Sequence, residues 1–277
     1  KRSHHAQGRR VVRLKPRFNA DVNHWWICDE GRYGFGDIDA PTRLERPELR
    51  EGGTTRPLTW DEAVAAVVDG LRAAGPEGTG VLLSPRLSNE DLWLARRLFH
   101  DVLGVAHMDF RVPPAAPGSH DDLLRVADKA PNRRGAELLG CGRAGSADGR
   151  HVLDAARAGR LRLLWVFDHD LLASGWPAAE VAEALGRVEG VIYQGANANE
   201  TSARAHLVLP SAAYVEREGT WTNVAGRVQR FWRALPSHGE ARADWEILAA
   251  VARALGQDWS AIHALGDHGA NTGEAPR

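Results

Sequence analysis

The chain has 277 residues, 43% hydrophobic and 26% charged, with a formal net charge of −1. That size and composition suit one large or two small soluble cores and give no bulk charge for nucleic acid or an anionic membrane. Two cysteines exclude a disulfide framework and fit a reducing compartment.

The first residues, Lys1 to His5, are polar and lack an initiator Met, which reads as the inside of a longer chain rather than a signal peptide. His4 and His5 read as a solvated loop, with metal ligation as the alternative. Val11 to Lys15 alternates enough for a short strand. Pro16 to Gly36 is turn-rich, and Gly52-Gly53 marks a hairpin tip inside the polar stretch 41–57. Thr59 followed by Asp61 and Glu62 caps an amphipathic helix that runs to about Ala74.

Val81 to Leu83 is a buried-strand candidate. Ser88 then caps a helix to about Leu103, and Ala106 to Phe110 is the next strand. After a loop-heavy stretch, 113–149, the rhythm resumes. Helices are expected at 151–158 and 178–186, and strands at 161–167, 191–193 and 205–210. The stretch 220–233 reads as extended or hairpin structure, and Ala243 to Leu255 as a last helix. Alternating helices and strands imply an α/β fold with a parallel sheet. Apolar runs such as Leu163–Phe167 are far too short to cross a bilayer. Ten tryptophans against three tyrosines point to packing anchors or a partner interface.

Four places carry candidate chemistry. Cys28 lies between Trp25-Trp26 and a Gly31-Arg32-Tyr33-Gly34 turn. A thiolate there suits a soft metal centre screened from water by the aromatic side, although an iron–sulfur cluster normally takes four cysteines. A buried structural thiol is the other reading, and it also describes Cys141 in its Gly-rich loop. Asp168-His169-Asp170 follows a strand, where open α/β sheets place ligands, and reads either as a metal or proton-shuttle cluster or as a polar loop. Asn197, Asn199, Glu200 and Thr201 follow the next strand and suit ligand contacts or a helix cap. In 216–230, Gly219 and Gly226 offer positive-φ turns and Arg227 a clamp for carboxylate or phosphate, against a self-contained hairpin.

Val22-Asn23 with Trp26 to Gly34, then Asn132 to Ala136, Asn199 to Thr201, His206 to Pro210, Glu216, Gly219-Thr220, Asn223, Gly226 to Gln229 and Asp244-Trp245, taken in order, resemble the large iron–sulfur subunit of respiratory complex I. That subunit belongs to the molybdopterin oxidoreductase superfamily, and the likeness runs from about Val11 to Gly256. It implies Rossmann-like parallel-sheet lobes behind a small β-rich remnant of a 4Fe-4S domain. The division implied is 1–57 for the remnant, 58–256 for the α/β domain and 257–277 for a polar tail. It also implies that Cys28 is the fourth ligand of a [4Fe-4S] cluster completed by upstream cysteines.

Catalytic members such as formate dehydrogenases typically carry Cys-x-Lys-Gly-Arg where this chain has Cys28-Asp29-Glu30-Gly31-Arg32, and Gly-Glu-Asn where it has Asp168-His169-Asp170. The resemblance therefore implies a peripheral-arm electron-transfer subunit on the cytoplasmic face of a bacterial inner membrane, packed against other subunits. Neither nucleic-acid binding nor membrane insertion is implied, and molybdopterin is not expected. The alternative is a molybdopterin-dependent catalytic subunit, with Asn199, Thr201, Asn223 and Arg227 as pterin-pocket residues.

Overall fold

The computed structural model describes residues 8–121, 125–142 and 148–259. In chain order the elements are α1 (Asp29–Tyr33), β1 (Glu48–Glu51), β2 (Thr54–Pro57), α2 (Trp60–Gly78), β3 (Thr79–Leu83), α3 (Asn89–Arg96), β4 (His107–Phe110), α4 (Arg133–Leu138), α5 (Arg150–Arg157), β5 (Leu163–Phe167), α6 (Ala178–Arg187), β6 (Gly190–Gly195), β7 (Leu207–Pro210), β8 (Gly219–Thr222), β9 (Val228–Phe231) and α7 (Asp244–Ala254). His4, His5 and most of the expected tail lie outside the described residues.

Seven strands form one sheet in the order β2-β1-β7-β6-β5-β3-β4. The β4, β3, β5, β6 and β7 strands run parallel, and β1 joins β7 antiparallel. The central strands are apolar on both faces because helices cover both. Val81, Leu83, Trp165, Phe167 and Leu209 face the side of α2, α3 and α7, whereas Leu82, Leu164, Val166 and Val208 face α5 and α6. This period-two split divides the core into two layers around the sheet.

The chain leaves β3 toward β4 on one side and returns at β5 on the other. The order therefore reverses between β3 and β5, which opens a crevice at their carboxyl ends. Helix starts are fixed locally. Thr59 and Ser88 each accept a bond from the N3 backbone while Glu62 and Asp91 reach back to the cap.

One expectation changes. Val11 to Lys15 pairs with no strand, and Val12 is 58% exposed: without a neighbouring edge, alternation alone does not make a strand. Within 1–57 the described residues form a short helix, turns and isolated bridges, followed by the β1–β2 hairpin. The β1–β2 hairpin continues the main sheet through β7. The described residues build this mostly parallel seven-stranded sheet and a separate two-stranded β8–β9 sheet.

Candidate functional site

A cavity of about 380 Å³ lies at the carboxyl ends of β3, β5 and β6, over the reversal in strand order. Ser84, Pro85 and Arg86 line it after β3, Asp168 to Asp170 after β5, and Asn197 to Asn199 after β6. Tyr193 contributes from β6 itself, and Asp37 and Thr42 close it from the N-terminal segment.

Asp168 turns the chain out of β5 with φ +44, uncommon for a side-chain-bearing residue, and its N–H donates to the Gln194 carbonyl at 2.7 Å. Burial holds its carboxyl above the usual range even though Arg86, Arg217 and the Ala196 N–H all favour the anion. His169 is buried, and its Nε2 lies 3.1 Å from the Leu83 carbonyl, which assigns Nε2–H as donor. Burial, with the Arg86 and Arg111 cations nearby, pushes its pKa down to about 4, so the ring is neutral at pH 7.

Asp170 accepts from the Leu172 N–H and the Thr201 hydroxyl, both at 3.2 Å, while Thr201 Oγ1 accepts from the Leu171 N–H at 2.8 Å. Asn199 Nδ2 donates to the Tyr193 hydroxyl at 2.8 Å, which donates to the Asn197 carbonyl at 3.1 Å. Asn199 Oδ1 accepts from the Ser202 N–H at 2.8 Å. Asn199 thus lines the cavity and Thr201 lies behind it, and their polar atoms already hold its walls.

Two buried charge clusters fix these walls, and both come from Glu216-Arg217. The Arg217 guanidinium bonds Asp91 on α3 and lies 3.3 Å from Asp244 on α7. Asp244 in turn accepts from Gln194 at 2.8 Å and from Ser211 at 2.6 Å, tying the ends of β6 and β7 to both helices. Burial raises the Asp244 pKa to about 6 against the pull of Arg217. Arg43 and Glu216 form a second, bidentate pair, and Arg43 Nε also donates to the Ala196 carbonyl at 3.1 Å. The sequence reading took 216–230 as a hairpin or a ligand site with Arg227 as its clamp, and missed Arg43 and Asp91 as partners of Glu216 and Arg217. Nothing local signals a pair separated by more than 100 residues.

Asn223 and Arg227 do not reach the cavity. They form the tip of the β8–β9 hairpin, where Asn223 Oδ1 accepts from the Ala225 and Arg227 N–H groups, each at 3.0 Å. The exposed Arg227 pairs with Asp21 at 3.1 Å. Gly226 supplies the positive φ of the turn. Gly219 does not: it is a strand residue where a Cβ would come within 2.8 Å of Ser88 Cβ.

Cys28 caps α1 through a bond from the Gly31 N–H to its sulfur at 3.4 Å, and it is half-buried. Trp25 and Trp26 are 66% and 65% exposed, so they do not screen the thiol from water as the pattern suggested. Glu30 pairs with Lys129 at 2.7 Å. Cys141 is the inert thiol: it is fully buried, and burial pushes its pKa up to about 12.

These residues test the cofactors the pattern implies. Among the described residues no group of three or more His, Cys, Asp or Glu is placed to hold a metal ion, and Cys28 alone does not make a four-thiolate cluster site. The cavity does not fit a pyrophosphate either. Asp37, Asp168 and Asp170 line it against one guanidinium, Arg86, where an anion needs clustered N–H donors. Among the described residues, no helix is long and apolar enough to cross a membrane.

Residues 132–254 match the molybdopterin oxidoreductase family. Similar curated proteins include the putative formate dehydrogenase YrhE of Bacillus subtilis, 32% identical over 116 residues, which are 42% of this chain and 12% of that protein. The nitrate reductase of Klebsiella oxytoca is 34% identical over 153 residues, 55% of this chain and 16% of the relative. NADH-quinone oxidoreductase subunit 3 of Thermus thermophilus is 37% identical over 109 residues, 39% of this chain and 14% of the relative. The matched part of the chain is thus a small fraction of each relative's length. Among solved structures, the acetylene hydratase of Pelobacter acetylenicus superposes with a TM-score of 0.55 at 10% identity, covering 88% of this chain and 67% of the other, which supports the fold. The match to the molybdopterin oxidoreductase family thus spans residues 132–254, and the proteins to which the chain is similar include both NADH-quinone oxidoreductase subunits and formate dehydrogenases.

Proposed function

We propose that the chain is part of the large iron–sulfur subunit of a respiratory NADH–quinone oxidoreductase, with an α/β domain that scaffolds the peripheral arm and does not carry out molybdopterin catalysis. The observation that carries this reading is the lining of the switch-point cavity. Its carboxylates oppose an anionic dinucleotide, and the left-handed Asp168 puts a side chain where a close backbone approach to phosphate calls for Gly. The neutral His169 adds no positive charge. Cys28, accessible at the start of a helix, would supply one thiolate of a [4Fe-4S] cluster whose remaining cysteines lie upstream. The protein would act at the cytoplasmic face of the inner membrane as a peripheral subunit.

Purifying the native full-length protein through a terminal tag tests this. NADH-dependent quinone reduction that co-purifies with it is the expected result. A protein that purifies alone, or with formate oxidation instead, overturns it.

The second reading, a catalytic molybdopterin subunit of formate-dehydrogenase type, is favoured by the position of Asn199 at the cavity and of Thr201 behind it. Asn223 and Arg227, at the hairpin tip, would contribute to a pterin pocket only if the hairpin moved.

A further inference from the structure

Nine of the twelve large hydrophobic side chains exposed among the described residues fall between Val12 and Tyr33 or between Val224 and Trp232. The two stretches are pinned together at both ends. Arg10 reaches the Pro236 carbonyl at 3.5 Å below the hairpin, and Arg227 pairs with Asp21 at its tip. The N-terminal segment therefore runs beside the hairpin from base to tip. Trp25, Trp26 and Phe18 on the segment, with Val224, Val228 and Trp232 on the hairpin, are each more than 45% exposed. The face is preorganised: Phe18 packs on Trp25 at 4.9 Å, and Arg230 lies over the Trp232 ring at 3.6 Å. The β8–β9 sheet has two strands, so β9 has no partner on its outer edge among the described residues.

The charge of this face is net positive. Residues 9–33 hold six cations and three acids, and residues 219–239 hold three cations and no acid, in a chain whose net charge is −1. Arg10, Arg227 and Arg230 are engaged by Asp39, Asp21 and Glu218, which leaves Arg9, Arg13, Lys15, Arg17 and Arg233 exposed.

We infer that this face is a protein-docking surface whose partner presents an acidic patch around an apolar centre. Trp and Arg are the residues that dominate protein interfaces, and an apolar patch of this kind on a soluble protein marks a contact site. A membrane surface would call for an amphipathic helix, and the exposed residues here lie on an irregular segment and a hairpin. A nucleic acid would call for a strongly basic domain, against a sequence pI of 6.9. The inference rests on the proposed function only for the identity of the partner, a neighbouring peripheral-arm subunit.

The test uses the full-length protein in its native complex, with a photoreactive phenylalanine analogue at Trp25 or Trp232 and, as control, at the exposed Trp93 on α3. Cross-links from Trp25 and Trp232 to a second protein are expected, at a carboxylate-rich stretch identified by mass spectrometry and at several-fold the yield from Trp93. They are expected to weaken at high salt and in the Arg13→Glu, Lys15→Glu, Arg17→Glu variant, whose melting temperature stays within a few degrees of the parent. Cross-links confined to the chain itself, attached to lipid or nucleic acid, no stronger than at Trp93, or indifferent to both salt and charge reversal overturn it. A cross-linked partner from outside an NADH-oxidising complex supports the docking surface and contradicts the proposed function. Co-purifying NADH oxidation without cross-links does the opposite.

Discussion

Arg43 and Glu216, separated by 173 residues, meet in a bidentate pair at 3.0 and 2.7 Å, with side chains 1% and 0% exposed. Burial alone would raise the Glu216 carboxyl, but the Arg43 hydrogen bond, the Ala213 N–H and Arg10 outweigh it and hold the pKa below the usual range. Through Arg43 this pair also holds the Ala196 carbonyl beside the cavity.

Removing one partner strands the other. Glu216→Ala leaves the Arg43 guanidinium buried without a counter-ion and is expected to cost about 3–5 kcal/mol, read by denaturant unfolding. The lowered carboxyl pKa means the parent's advantage over the variant is complete above the ordinary carboxylate pKa and shrinks as pH falls through the folded value. An advantage unchanged down through that range would contradict this account of the pair.

Arg217→Met leaves Asp91 and Asp244 facing each other in the core without their cation. A loss of about 3–5 kcal/mol is expected at pH 8. The loss should be smaller at pH 5, because Asp244, already raised to about 6 by burial, takes up a proton once the cation is gone. Equal losses at the two pH values would show that charge is not the cause.

His169 is held neutral by burial, with a folded pKa of about 4 against an ordinary 6.5. Its contribution is complete above 6.5 and is lost as pH falls toward 4, because the unfolded state binds the proton first. Asp244, raised to about 6, works the other way as pH rises through its own range. The two are separated by comparing the parent with His169→Gln. The variant should lose up to about 1.4 kcal/mol per pH unit of slope between those limits. Superimposable pH profiles would refute the neutral-histidine assignment.

The two thiols should differ sharply. In the folded protein stripped of iron, a maleimide reagent is expected to modify Cys28 and spare Cys141, whose thiol is buried and pushed up to about 12. In the full-length protein, Cys28→Ala should abolish or alter the electron-paramagnetic signal of one reduced cluster. An unchanged spectrum removes Cys28 from the ligand set.

The layered sheet was legible in the sequence because its signals are local. Thr59 and Ser88 announce their helices, and Leu163 to Phe167 is apolar enough to be buried on both faces. The position of Asp168 to Asp170 after that strand also marked the cavity. The strand expected at Val11 to Lys15 failed because pairing needs a neighbour that local alternation does not specify. Asn223 and Arg227 were misplaced because a turn's internal bonds and a ligand's contacts call for the same residue types. Arg43, Asp91 and Arg217 gave no local sign of their roles, since buried pairs are fixed by the packing of distant elements.

Elemental analysis of the native full-length protein, purified with its complex, tests the central claim most directly. Iron and acid-labile sulfide without stoichiometric molybdenum or tungsten is the result expected of a cavity lined by Asp37, Asp168 and Asp170. Molybdenum or tungsten at one atom per chain would contradict it and establish the catalytic reading instead.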